Sequence, residues 1–306
     1  MAGKVDPNDP RKLTDFKLLS FDVYSTLIDE KGAFLATLIT SFYHYNIKPY
    51  SHEHRIFPLQ KHTEQLTPSS PGGLFTGLHP LLSRLPEPLK SNYLDSRAST
   101  LQAFQTHETQ LQRTHPTLPY PSILHLAYLS YAQSLPLTPP PSLSTLESEA
   151  QEFSQKIPSW PAFPDTVPAL QKLHKYYKLV ILSNINEESI EGTIRHNMDV
   201  GWDAVYTAQK IGSYKPDLRN FEFLVEHVGE DLGVKKEEIL HTAQSLRADH
   251  VPVKKMDMTG VWIDRGNEGQ DYEKLKDEVA YTWKFSTLGE MADAVEEAFE
   301  AQGKKV

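Results

Sequence analysis

The sequence predicts an α/β fold in which a parallel β-sheet lies between two layers of helices, with a separate helical segment inserted after the first strand. Three observations predict it. Five short apolar runs each end in polar residues, segments with helical spacing separate the later runs, and 17 of the 22 prolines fall between residues 58 and 168. Strands that alternate with helices are typical of a parallel sheet covered on both faces.

The five apolar runs are the predicted strands. They occupy residues 18–22, 179–183, 204–207, 239–242 and 260–264. Apolar residues three or four positions apart predict helices within residues 221–228 and 288–299. We therefore assign residues 1–28 and 161–306 to the α/β domain.

The proline-rich segment, residues 29–160, is predicted to consist of short helices joined by stiff loops, because proline blocks helix interiors. Apolar residues recur at helical spacing within residues 101–111 and 123–131. A disordered linker is the alternative. Three aromatic residues are expected to form the core of this segment, with the floor of an apolar pocket as the second interpretation: Phe104, Tyr128 and Tyr131.

Composition and charge narrow the function classes. Of the 306 residues, 39% are hydrophobic and 23% are charged, which is enough apolar material for a core. A net charge of −9 argues against nucleic acids and anionic membrane surfaces as partners. The sequence has no cysteine, no apolar run of about 18 residues and no amino-terminal signal segment, so we expect a cytoplasmic protein that acts on a small molecule.

Polar side chains follow the predicted strands where ligands bind in parallel sheets, outside the carboxyl ends. A lone aspartate at such a position is usually a turn residue. Here polar residues follow one strand after another, which indicates an active site at the carboxyl edge of the sheet. They are Asp22 after the first strand, Ser183 and Asn184 after the second, Lys215 in the loop after the third, and Gln244, Ser245 and Asp249 after the fourth.

Four motifs carry these residues in order: FDVYSTLID, LVILSNIN, IGSYKPD and AQSLRADHVPVKKMDMTGVWIDR. In these motifs the chain resembles the haloacid dehalogenase superfamily, and most of all the type II 2-haloacid dehalogenase branch with its fungal members. The resemblance implies a Rossmann-like three-layer core. It also implies that residues 29–160 form an α-helical cap, inserted just after the first motif, with the active site between cap and core.

The resemblance also implies roles for these residues. Asp22 attacks carbon or phosphorus and forms an ester that water hydrolyses. Lys215 keeps that carboxylate ionised, because a nearby cation lowers its pKa. Asp249 orients Lys215 or assists the water. The substrate-binding residues it implies are Tyr24, Thr26, Ser183, Asn184, Gln244 and Ser245.

Tyr24 separates the dehalogenase branch from the phosphatase branch of the superfamily. The phosphatases place a second aspartate two residues after the nucleophile and bind magnesium, whereas the dehalogenases have a tyrosine there. A phenol is a poor proton donor near neutral pH and not a usual magnesium ligand. We therefore expect no metal and no cofactor. A homodimer is left open.

Departures from the dehalogenase pattern support an alternative function. Ala103 stands where the family has a cap arginine, for which Arg97 or Arg113 are candidate substitutes, and Gln244 and Leu246 stand where the family has a serine and an asparagine that support the water step. A non-hydrolytic acid–base enzyme is the alternative. It would isomerise, cyclise or open an epoxide on a bulky apolar metabolite through Asp22. A catalytically silent binding protein is a third interpretation.

Overall fold

A computed structural model describes residues 3–6, 8–30, 73–266 and 269–303. Within these residues the chain forms a seven-stranded sheet in the order β1-β7-β6-β5-β2-β3-β4. All neighbouring strands are parallel except the edge pair β1–β7. The strands are β1 Gly3–Lys4, β2 Leu18–Phe21, β3 Lys178–Ser183, β4 Ala204–Thr207, β5 Ile239–Ala243, β6 Thr259–Ile263 and β7 Trp283–Phe285.

Helices cover the sheet and build the inserted segment. In the described residues they are α1 Leu74–Leu82, α2 Leu89–Asp95, α3 Arg97–Thr114, α4 Tyr120–Ser134, α5 Leu143–Gln155, α6 Thr166–Leu173, α7 Glu187–Asn197, α8 Ala208–Ile211, α9 Arg219–Leu232, α10 Val251–Lys255, α11 Gly269–Leu275 and α12 Leu288–Ala301. One turn of π-helix at Leu246–His250 precedes α10.

The central strand shows why both faces of the sheet are covered. Its successive side chains point to opposite faces, and every residue of β2 is buried. Leu19 and Phe21 belong to the apolar cluster that includes residues of α6 and α12. Leu18 belongs to the cluster on the other face, which includes residues of α9. The predicted three-layer α/β architecture is therefore confirmed.

The five predicted strands and both predicted core helices are present. β1 and β7 were not predicted. They are two and three residues long and lie together at one side of the sheet. Runs this short show no detectable alternation of apolar and polar residues. The described residues of the proline-rich segment form five helices, as predicted, and not a disordered linker. The domain boundaries stay a prediction, and residues 31–72 of the predicted cap lie outside the described residues.

The cap has an aromatic core. The ring of Phe104 lies edge-on to Tyr131 and Phe153, with centroids 5.8 and 5.6 Å apart. Tyr128 packs on Phe153 at 5.2 Å and donates its hydroxyl to Glu149 at 2.9 Å. Core packing, rather than a pocket floor, is thus the role of the predicted aromatic residues. Among the residues that the structure describes, no helix combines the length and apolarity needed to cross a membrane.

Candidate active site

Asp22 lies at the centre of the carboxyl edge, because β2 is flanked by β5 and β3. The chain turns sharply after it: the amides of Thr26 and Leu27 both donate to the carbonyl of Val23, and Ser25 adopts a φ of 68°. A positive φ is unfavourable for a residue with a side chain. The turn directs the Thr26 hydroxyl back to Asp22, where it donates to Oδ2 at 2.7 Å.

Lys215 reaches the same carboxylate from the loop after α8. Its Nζ donates to Asp22 Oδ1 at 2.9 Å, to Asp249 Oδ1 at 2.6 Å and to the carbonyl of Leu182 at 2.9 Å. Asn184 holds the backbone of Lys215 on both sides, accepting from its amide at 2.7 Å and donating to its carbonyl at 3.0 Å. These two bonds fix the Lys215 backbone relative to Asn184.

Asp249 is also hydrogen-bonded to a histidine. The ring of His241, in β5, lies with Nε2 2.9 Å from Asp249 Oδ1 and Nδ1 2.8 Å from the Ser20 hydroxyl. An ionised carboxylate only accepts hydrogen bonds, so Nε2 carries the proton and Nδ1 accepts from Ser20. Ser20, His241 and Asp249 are all fully buried. The three residues extend the hydrogen-bonded chain from Lys215 into the sheet.

The two carboxyls bridged by Lys215 differ in acidity. Burial raises the pKa of Asp22, and the Lys215 ammonium offsets this only in part because the Asp249 carboxylate also raises it. Burial would raise the pKa of Asp249 too, but Lys215 and the His241 hydrogen bond outweigh it and bring that pKa to about 2. The expected effect of Lys215 on Asp22 is present, yet the net shift at Asp22 is upward.

Tyr24 is held away from proton-transfer chemistry. Thr193 donates its hydroxyl to the Ser189 carbonyl at 3.0 Å, so the Tyr24 hydroxyl, 3.0 Å from Thr193 Oγ1, is the donor of that pair. Its ring lies edge-on to Trp160 at 5.7 Å. Burial raises the pKa of Tyr24 far above its ordinary value, which keeps the phenol protonated.

The remaining predicted residues line the same edge with different functions. Ser183 is buried, and its hydroxyl has no hydrogen-bond partner among the described residues. The backbone amide of Gln244 donates to Thr26 Oγ1 at 2.9 Å, and this bond positions the Thr26 hydroxyl for its own bond to Asp22. The Ser245 hydroxyl accepts from the Ala248 amide at 3.1 Å and so begins the π-helical turn that carries Asp249.

A cavity of about 320 Å³ opens over Asp22, between the core and the cap. All nine predicted site residues except Thr26 line it. Sequence reasoning missed Arg247 from the core, and from the cap it missed Glu30 and one face of the helices: Gln105, Glu108, Thr109 and Gln112 of α3, and Tyr120 of α4. The spacing of the four α3 residues puts them on one side of the helix, but only the structure shows what that side faces.

The two arginines proposed as substitutes for the family's cap arginine do not line this cavity. Arg97 stacks over the ring of Phe75 at 4.8 Å, and Arg113 is exposed near the end of α3. Ala103 packs against the apolar core. Among the described residues, the guanidinium that lines the cavity belongs to Arg247, an exposed residue of the π-helical turn. It lies two residues after Ser245 in the fourth motif, and the sequence analysis assigned it no role.

Comparison with known families decides the assignment. The model for haloacid dehalogenase-like hydrolases matches residues 16–242, which is more than half of the chain. The chain belongs to this family. The predicted superfamily is thus confirmed, and the matched range contains the first three motifs. No curated protein matches the chain in a sequence comparison.

Solved structures share the fold at low sequence identity. An L-2-haloacid dehalogenase from Xanthobacter autotrophicus has a TM-score of 0.58 and 15% identity, covering 92% of this chain and 99% of its own. A second dehalogenase has 0.59 and 16%, covering 95% and 98%. A putative hydrolase of the family, YfnB from Bacillus subtilis, bound to magnesium, has 0.54 and 15%, covering 92% and 99%. These likenesses show a common core and cap architecture.

Proposed function

We propose that the chain is a metal-independent hydrolase that uses Asp22 as a nucleophile towards carbon. The observation that carries this proposal is the way in which two hydrogen bonds fix the Asp22 carboxylate at the cavity. Its carboxylate lies at the cavity, with Lys215 bonded to Oδ1 and Thr26 bonded to Oδ2. Two fixed donors on different oxygens orient a nucleophile before the substrate arrives.

The proposed reaction has two steps. One Asp22 oxygen displaces a halide from carbon, the halide leaves with the bonding electron pair, and an aspartyl ester forms. Water then adds to the ester carbonyl of Asp22, and the product alcohol departs with the original aspartate oxygen. The carboxylate is thereby regenerated with one oxygen from water.

Asp249 is suited to holding the water of the second step. Its Oδ2 is buried, lacks a hydrogen-bond partner among the described residues and belongs to a residue that lines the cavity. With a pKa of about 2 it is a weak general base. We therefore assign it the positioning of the water rather than the removal of its proton.

Two features support a reaction without magnesium. Magnesium requires carboxylate oxygens in near-octahedral geometry, whereas the Lys215 ammonium already lies between the carboxylates of Asp22 and Asp249. At the position of the phosphatase aspartate, the Tyr24 hydroxyl donates a hydrogen bond to Thr193 Oγ1. The phenol thus replaces a carboxylate that the magnesium-dependent phosphatases of the superfamily use, and this supports a reaction without the metal.

One observation favours the alternative acid–base function. The raised pKa of Asp22 suits a group that holds a proton and gives it to a substrate. The apolar metabolite that accompanied this alternative is less well supported, because glutamate, glutamine, threonine and tyrosine side chains line the cap side of the cavity.

Halide release tests the proposal. The purified protein is incubated with short 2-chloro acids, 2-chloropropionate among them, in the presence of EDTA, and chloride is measured by ion chromatography. We expect release from at least one substrate, its loss in Asp22→Asn, and no change in the control Asp231→Asn, an exposed aspartate of α9. Magnesium-dependent release of phosphate from p-nitrophenyl phosphate, removed by EDTA, would contradict it.

A further inference from the structure

His241 connects the two central strands of the sheet to the fourth motif. β5 pairs with β2, and the register places His241 opposite Ser20. Residues opposite each other in neighbouring strands point to the same face, and the Ser20 hydroxyl lies 2.8 Å from Nδ1 of the ring. The other ring nitrogen, Nε2, lies 2.9 Å from Oδ1 of Asp249 in the turn after β5. The imidazole thus joins Asp249 to the centre of the sheet.

The imidazole of His241 is held in one orientation. The ring is fully buried, as are its two partners, Ser20 and Asp249. The ring of Phe221 packs edge-on to it, with the centroids 5.2 Å apart. A buried polar group that is fully hydrogen-bonded is rigid, because any rotation leaves polar atoms unpaired. The donor on Nε2 is therefore fixed before a substrate enters the cavity.

His241 and Lys215 bind the same oxygen of Asp249. Lys215 donates to Oδ1 at 2.6 Å from the loop after α8, and His241 donates to it at 2.9 Å from β5. Oδ2 is buried and has no hydrogen-bond partner among the described residues, although Asp249 lines the cavity. Two donors from different elements hold Oδ1 on the protein side. Oδ2 is the oxygen that is left for an occupant of the cavity.

The second histidine near Asp249 does not take part in this arrangement. His250 follows Asp249 directly, but its ring nitrogens lie 3.1 Å and 3.2 Å from the backbone carbonyls of Ala243 and Ala280. Among the residues that the structure describes, neither histidine lines the cavity. An effect of His241 on the reaction therefore has to pass through Asp249.

We propose that His241 is a positioning residue, which holds Asp249 so that Oδ2 faces the water that attacks the ester on Asp22. The role of this water rests on the function proposed above, whereas the hydrogen bond between His241 and Asp249 does not. Formation of the ester uses the donors on Asp22 and not Oδ2 of Asp249. Loss of the His241 donor therefore slows hydrolysis of the ester more than its formation.

Two amides of different reach test the role of the ring. The side-chain nitrogen of glutamine reaches about the position of Nε2, whereas that of asparagine reaches only about the position of Nδ1. Each variant is mixed with excess 2-chloropropionate, or with the short 2-chloro acid that the wild type dehalogenates fastest. The early time course of chloride release reports formation of the ester, and the mass of the peptide that contains Asp22 reports how much ester accumulates.

We expect His241→Asn to lower kcat at least about tenfold, the loss of one hydrogen bond to a charged group. Chloride then appears in an initial burst, and the ester accumulates on Asp22. His241→Gln restores most of the loss, which a merely structural role of the imidazole would not predict. The control is His196→Asn, at an exposed histidine of α7, which leaves both steps unchanged.

Proton NMR tests the hydrogen bond without turnover. An imidazole N–H that is bonded to a carboxylate and shielded from water exchanges slowly and resonates far downfield. We expect such a signal in the wild type, its loss in His241→Asn and an upfield shift in Asp249→Asn. If His241→Asn does not fold by circular dichroism, His241→Leu, which fills the volume of the ring without a polar group, replaces it in both experiments.

The outcomes separate this inference from the proposed reaction. Equal rates of ester hydrolysis in the wild type and His241→Asn would refute the positioning role only, as would an equal slowing of both steps that His241→Gln does not restore. Absence of the downfield signal from the wild type would also overturn the inference. A wild type that shows the signal but forms no ester on Asp22 would refute the proposed reaction and leave the bond between His241 and Asp249 standing.

Discussion

Replacing Lys215 by methionine removes the cation from the centre of the site while keeping a side chain of similar length. The lysine side chain is 1% exposed, and its Nζ bonds Asp22, at 11% exposure, and Asp249, at 0%. Removing one partner of such a buried pair costs about 3–5 kcal/mol, because the remaining charges lose their counter-ion. We expect a loss of unfolding free energy of this size near neutral pH.

The pH dependence identifies the cause of that loss. In the wild type the pKa of Asp249 is lower in the folded than in the unfolded chain, so the ionised carboxylate stabilises the fold at any pH above about 4. This contribution disappears as the pH falls from about 4 towards 2. Without Lys215 the carboxyls of Asp22 and Asp249 have raised pKa values in the folded state. They then bind protons more tightly when folded, so the variant regains stability as the pH falls from about 7 to about 5.

Urea unfolding at these two pH values measures both effects. Lys175→Met, which changes an exposed lysine, is the control and is expected to stay within about 0.5 kcal/mol of the wild type. A loss below about 1 kcal/mol for Lys215→Met that is the same at both pH values would refute the reasoning. The lysine would then not be the counter-ion of two buried carboxylates.

Four further predictions follow from the same geometry. Asp22→Asn keeps its fold by circular dichroism but loses at least about 10²-fold in turnover. Thr26→Val removes the donor to Asp22 Oδ2, so the acid limb of kcat/KM moves to higher pH. Tyr24→Phe changes kcat less than about tenfold, since the phenol is bonded to Thr193 and transfers no proton; a larger loss would make it an acid. Phe104→Ala costs about 3–5 kcal/mol in urea unfolding through a cavity in the cap.

Sequence patterns predicted the five longer strands and missed the two short ones at one side of the sheet. The strands that carry Asp22 and Ser183 are buried on both faces and read as continuous apolar runs. The strand Trp283–Phe285 is three residues long and pairs with the two-residue edge strand Gly3–Lys4, so no period in the sequence could reveal either strand. A run of several buried residues makes a strand visible in a sequence, and strands of two or three residues lack such a run.

The site was predictable where residues follow strand ends and hidden where the cap closes over them. Asp22, Lys215 and Asp249 lie on the carboxyl edge that the topology defines. Glu30 and Glu108 are far apart in the chain and meet through Tyr120, a contact that no spacing in the sequence encodes.

His241 was hidden for a different reason. It lies within the apolar run of β5, where it reads as one more buried strand residue. Only the structure shows its bonds to Asp249 and Ser20.

Formation of an ester on Asp22 is the central claim, and oxygen labelling tests it most directly. A single turnover is run in H₂¹⁸O with the enzyme in excess over a substrate from which it releases chloride. The peptide that contains Asp22 and the product are then analysed by mass spectrometry. The account predicts one ¹⁸O atom in Asp22 and none in the first product, because water attacks the aspartyl ester. An unlabelled Asp22 beside a product that carries ¹⁸O would contradict it.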